Sequence, residues 1–121
     1  MDKVMITKMY RVFDEKNNKP HTLFHGNSGS RCLPINEWII SDTKLVTDGS
    51  HGKSYMSGFH VLATSELVKS FFLRRFKILD NRVICAVDVD TNAGIWNKNE
   101  YVKLAKCIRI TSEYWEERTR F

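Results

Sequence analysis

Apolar and polar residues alternate along most of this chain in short runs, the pattern of strands, and one long stretch turns to helical spacing. Met9 to Phe13 alternates, Asp14 to Pro20 reads as a polar turn, and Thr22-Leu23-Phe24 is a second short apolar run; together they predict a hairpin. Pro34, within Leu33-Pro34-Ile35-Asn36, interrupts regular structure. Glu37 to Val46 follows with Trp38, Ile39, Ile40, Leu45 and Val46 and predicts a strand, a short helix over Pro34 to Trp38 being the competing reading. Gly58 to Leu62 predicts another strand.

The helical stretch begins at Thr64-Ser65-Glu66, a hydroxyl cap with an acid in the first turn. Leu67, Val68, Phe71, Phe72 and Phe76 then form one apolar face, and Lys69, Arg74 and Lys77 fall towards the other, so the helix should cover a sheet. Asp80-Asn81 makes a turn. Arg82 to Val89 carries apolar groups on both faces, with Val83, Cys85, Val87 and Val89 on one and Ile84 and Ala86 on the other, which predicts a central strand. Thr91 to Tyr101 is polar and turn-rich, and Val102 to Ile110 predicts a last strand. Ser112 to Phe121 fits either a capped amphipathic helix around Tyr114 and Trp115 or an arm packed on another subunit. The sum is an α+β fold, mainly an antiparallel sheet with one amphipathic helix packed on it, in a single domain over 1–121.

Composition adds direction. With 121 residues, 42% of them hydrophobic and 27% charged, the chain is an ordinary globular domain, and its formal charge of +5 favours anionic partners: nucleotides, nucleic acid or an acidic protein face. Cys32, Cys85 and Cys107 are odd in number and widely spaced, and two lie in apolar strands, which argues against a disulfide framework or zinc site and for a reducing cytoplasm. The start Met1-Asp2-Lys3-Val4 lacks the apolar stretch of a secretion signal, and no run of eighteen apolar residues offers a membrane span.

Two stretches rich in glycine and hydroxyls, His25 to Arg31 and Asp48 to Tyr55, are the first candidates for a binding surface, because clustered N–H donors, hydroxyls and a nearby cation suit a phosphate or polyhydroxyl ligand. Neither has the spacing of a known phosphate loop. Solvated turns are the plain alternative. His21, His25, His51 and His60 include no pair at helical i, i+4 spacing and have no accompanying cysteine pair, so no metal is expected, and His60 reads as a hydrogen-bonded strand histidine. Thr22 to Gly26, followed by Tyr55 to Val61 and the capped helix, resembles locally the opening of ADP-ribosyltransferases, with His25 at a strand end. Those enzymes also need a late strand glutamate, whereas Glu100 precedes the last predicted strand and Glu113, Glu116 and Glu117 follow it. Basic residues from Arg74 to Arg120, interleaved with aromatics, leave sequence-independent nucleic-acid binding as a further alternative, although no helix-turn-helix, zinc-finger or ribonucleoprotein motif occurs.

Taken in order, Met9-Tyr10-Arg11-Val12-Phe13, Thr22 to Gly26, Ser30-Arg31 with Leu33-Pro34 and Trp38, Asp48-Gly49, and Ser57 to Val61 cover most of the chain and resemble the phage-encoded Thoeris anti-defence family. That resemblance implies a non-enzymatic sponge in the cytoplasm of an infected bacterial host. It would sequester a cyclic ADP-ribose signal, with short cyclic oligonucleotides at separate sites. It also implies a homo-oligomer, a dimer or hexamer, with pockets near subunit interfaces and no cofactor. On it, Arg31 and Arg109 would contact phosphate or base, Asn92 and Ser50 would bond ribose or a base edge, Tyr55 would stack, and His25 would lie at the mouth of a strand. Two features depart from it: Ala93-Gly94-Ile95-Trp96 interrupts the region where a more basic segment is expected, and the four late acidic residues dilute the charge.

Overall fold

The computed structural model describes residues 4–22, 31–41, 45–47, 54–56, 58–72 and 81–120. Through its middle runs β7 (Arg82–Asp90), flanked along its whole length by β1 (Ile6–Lys16), with Ile6 opposite Asp90 and Asp14 opposite Arg82. Beyond β1 lies β2 (Lys19–His21). The other edge of β7 is shared between β10 (Cys107–Arg109), which carries β3 (Trp38–Ile40) outside it, and the two-residue β11 (Thr119–Arg120). A second sheet orders β6 (Phe59–Val61), β9 (Lys103–Ala105) and β8 (Ile95–Asn97), and β4 (Leu45–Thr47) pairs with β5 (Ser54–Met56). All of these pairings are antiparallel, as the sequence predicts.

Strand alternation sorts the main sheet into two faces. Met9, Phe13, Val83, Cys85, Val87 and Val89 build the larger core with Phe59, Val61, Ile108 and Trp115. Val12 and Ile84 lie on the other face and pack with Leu62, Val68 and Val102 under helix α1 (Ser65–Phe72). Thr64 caps α1 by accepting from the Leu67 N–H at 3.1 Å, and Val68 is fully buried, so the helix covers the sheet as expected; Phe76 lies outside the described residues. Arg11 is buried among the larger core's aromatics. Its guanidinium lies over the Phe13 and Phe59 rings and donates to the His60 carbonyl at 3.1 Å, and burial lowers its pKa only to about 10, so it stays charged at neutral pH.

Several boundaries differ from the sequence expectation, each for a physical reason. The expected turn over Asp14 to Pro20 contracts to Asn17 and Asn18, both at positive φ, 51° and 61°, as a two-residue hairpin requires. Asp14 and Glu15 are strand residues because cations pair with them: Arg82 with Asp14, and Arg118 and Arg120 with Glu15. The single strand expected over Glu37 to Val46 is two, β3 and β4, in different sheets. The competing helix at Pro34 to Trp38 does not form, and Asn36 sits at φ 64°. Likewise the strand expected over Val102 to Ile110 divides at Lys106, whose N–H donates to the Gly94 carbonyl and whose carbonyl accepts from Ser41 N–H, so the chain changes sheets there. The turn-rich Thr91 to Tyr101 contains β8.

At the C-terminal end, Thr111 caps a five-residue helix, α2 (Ser112–Glu116), and β11 then returns to β7 of the same chain rather than extending as an arm. Trp115 on α2 meets Phe13 edge-on at 6.4 Å and donates its indole N–H to the Asn18 carbonyl. The three cysteines are free, Cys32 exposed and Cys85 and Cys107 buried. Burial pushes the Cys85 thiol up to about 12, against the opposing charge of Arg118, and raises Cys107 with help from Asp90. Titration of the native protein with an aromatic disulfide should therefore modify Cys32 alone, and all three cysteines after denaturation; two fast-reacting native thiols would contradict this packing.

Candidate functional site

On the α1 face of the main sheet, the register sets Lys8 of β1 opposite Asp88 of β7, Asp88 opposite Arg109 of β10, and Arg109 opposite Trp38 of β3. Four strands thus contribute one side chain each to a single row. Asp88 is only 6% exposed and is the row's anchor: it accepts from Arg109 Nη2 at 2.9 Å, from Arg109 Nε at 3.3 Å and from the Tyr114 hydroxyl at 2.8 Å. The Arg109 guanidinium lies 4.5 Å from the Trp38 ring centroid, fixed between an aromatic face and a carboxylate, and keeps part of its surface open to solvent. Lys8 Nζ stands 5.1 Å from the Tyr114 ring centroid and 5.8 Å from that of Tyr10. No carboxylate among the described residues pairs with Lys8. The row therefore presents two cations, Lys8 set over tyrosine rings and Arg109 held between Trp38 and Asp88, with that buried carboxylate between them.

Next to the row opens a cavity of about 150 Å³. Ile84, Ala86, Tyr10, Tyr114 and Lys8 line it. Ser65 at the start of α1, Glu117 and Thr119 supply the remaining polar lining. The rings, hydroxyls and opposite charges suit a small polar molecule with one apolar face. A second, apolar hollow of about 320 Å³ lies between α1 and Tyr101, lined by Leu67, Ser70 and Phe71.

Tyr114 links row and cavity, and its ionisation can be followed. Burial first, then the hydrogen bond to Asp88 and that carboxylate's charge, push its phenol up to about 12 from an ordinary value near 10. The folded state thus holds this proton more tightly than the unfolded chain does. The resulting stabilisation is complete below pH 10 and is lost as pH rises to about 12. Urea midpoints across that window should fall more steeply for the native sequence than for Tyr114→Phe; parallel profiles would remove Tyr114 as the cause.

Of the residues singled out from sequence, Arg109 stands in the row. Asn92 is exposed in the turn after β7, its N–H donating to Asp90 Oδ1. Arg31 is exposed, its backbone bonded to Thr22. Tyr55 lies on β5, and its side chain is outside the description, as are His25 and Ser50 and most of both glycine-rich stretches. His60 is half-buried on β6, with Nε2 2.8 Å from Lys98 Nζ, in keeping with a hydrogen-bonded strand histidine. No group of three metal-ligating side chains converges among the described residues, and no helix among them is long and apolar enough to cross a membrane. Lys8, Tyr10, Trp38, Ala86 and Asp88 are not among the site residues read from sequence; the shared parity of Lys8 and Tyr10 on β1 is the available signal. Compared with protein-family models, curated proteins and solved structures, the chain matches none.

Proposed function

We propose that this protein binds, without cleaving it, a phosphorylated nucleotide-derived signal, and that its biological role is the phage anti-defence one suggested by the resemblance: capture of a cyclic ADP-ribose type molecule. The observation that carries the binding reading is the row itself. Lys8 over Tyr10 and Tyr114, beside Arg109 stacked on Trp38, combines the cations a pyrophosphate needs with the aromatic faces a base needs. Asp88 holds Arg109 by Nε and Nη2, which leaves Nη1 for an incoming oxygen. The net charge of +5 favours anion capture. A homo-oligomer belongs to the same reading.

The test incubates purified protein with cyclic ADP-ribose isomers and with NAD, removes unbound material, denatures the protein and weighs both released molecules and intact chain. Unchanged cyclic ligand is the expected recovery. Lys8→Ala and Arg109→Ala should each weaken capture about tenfold or more, the worth of one charge-assisted contact. Free nicotinamide or an added ADP-ribosyl mass would replace this reading with the transferase. Recovery of nothing would overturn it in favour of a nucleic-acid or protein target.

A further inference from the structure

The cavity beside the row calls for a ligand group of its own. Its depth comes from Ala86: on this face of β7 the neighbouring residues are Ile84 and Asp88, and Ala86 lies directly opposite Tyr10 on β1, so its methyl leaves a hollow beside the rings of Tyr10 and Tyr114. The volume of about 150 Å³ equals roughly five waters, enough for one small ring and too little for a base with its sugar. Of its two charged lining residues, Lys8 belongs to the row, and Glu117, which pairs with no cation among the described residues, would repel a phosphate placed beside it. A carboxylate that is free to accept is what a vicinal diol seeks, as in dinucleotide sites where an acidic side chain takes the ribose hydroxyls. Ser65 and Thr119 add hydroxyls, and the tyrosine rings offer faces to the C–H side of a sugar.

We infer that this cavity is a ribose subsite of the site described above, with Glu117 accepting from the 2,3-diol, Ala86 setting the floor, and the phosphate lying outside at Lys8 and Arg109. The inference rests on the phosphate-binding reading of the row and adds to it a preference for ribosyl over bare phosphate ligands. Glu117 is exposed at the end of α2, so its replacement spares the core.

Ribose 5-phosphate, 2-deoxyribose 5-phosphate and inorganic phosphate would be titrated into the unaltered protein and Glu117→Ala, with the Ala86 methyl resonance as a local reporter. Ribose 5-phosphate should bind saturably, shift the Ala86 methyl, and lose about tenfold in affinity both in Glu117→Ala and on removal of the 2-hydroxyl. Inorganic phosphate should bind Glu117→Ala at least as well as the unaltered chain. Equal affinities for ribose 5-phosphate and inorganic phosphate, or an unmoved Ala86 methyl at saturation, would overturn the subsite. Cyclic ADP-ribose separates the two readings. If Lys8→Ala abolishes its binding and Glu117→Ala leaves it unchanged, the subsite falls while the row stands. If ribose 5-phosphate binds through Glu117 and cyclic ADP-ribose does not bind, the subsite stands and the signal was misidentified.

Discussion

Trp115→Ala should destabilise the protein by about 3–5 kcal/mol, the cost of emptying a large buried aromatic site. Trp115 is 6% exposed and does three jobs in the larger core. Its ring packs edge-on against the fully buried Phe13, its indole N–H satisfies the Asn18 carbonyl in the hairpin turn, and its face carries the Arg118 guanidinium at 4.4 Å. Arg118 in turn bonds Glu15 and Asn18, so the truncation also loosens the clasp that holds α2 to the β1–β2 turn. For a domain whose total stability is of order 5–15 kcal/mol, this loss removes a large fraction of the folded margin. Trp115→Phe keeps the ring contact and leaves the turn carbonyl without its donor, so about 1–3 kcal/mol is expected. Urea denaturation followed by circular dichroism measures both, and a shift under 1 kcal/mol for the alanine variant would mean that α2 does not dock on Phe13.

Asp88→Ala is the second large effect, about 2–4 kcal/mol. Removing one partner of a buried ion pair costs most when the other charge is left sealed from water. Here the Arg109 side chain retains 29% exposure and can recover part of its hydration, which holds the loss below the full range for sealed pairs. Because the carboxylate serves Arg109 and Tyr114 together, the double variant Asp88→Ala/Arg109→Ala should be less destabilised than the two single effects summed. Additivity would show that the pair is not coupled. In Asp88→Ala the Tyr114 phenol should also ionise at lower pH than in the native protein, a spectroscopic change that a merely packing-based role for Asp88 would not produce.

The parts of this fold that could be read from sequence are those whose pattern is local. β7 declared itself because Val83 to Val89 are apolar on both faces, and α1 because Thr64 caps a run with apolar residues at helical spacing. What escaped was decided by partners far along the chain. Nothing in Val102 to Ile110 announces a break at Lys106; it comes from Gly94 and Ser41, which take its N–H and its carbonyl into different sheets. The same holds for Asp14 and Glu15, polar residues that look like turn until Arg82, Arg118 and Arg120 neutralise them. The row escaped for the same reason. Lys8, Asp88, Arg109 and Trp38 lie on four strands, and only the register brings them together. Of the four, only Arg109 has a site role on the resemblance.

The pairing of β1 with β7 also sets a timetable. Nine residue pairs join the beginning of the described chain to its last third, so the ladder at the centre of the fold closes a loop of most of the molecule. Folding dominated by such distant pairings is slow, in milliseconds to seconds. On the ribosome the order is stricter still: at about 5–20 residues per second, β1 waits several seconds for β7 to be synthesised. During that interval Met9, Val12 and Phe13 have no sheet to enter, and the nascent chain depends on its polar flanks, or on a chaperone, to keep that strand from pairing with another copy of itself.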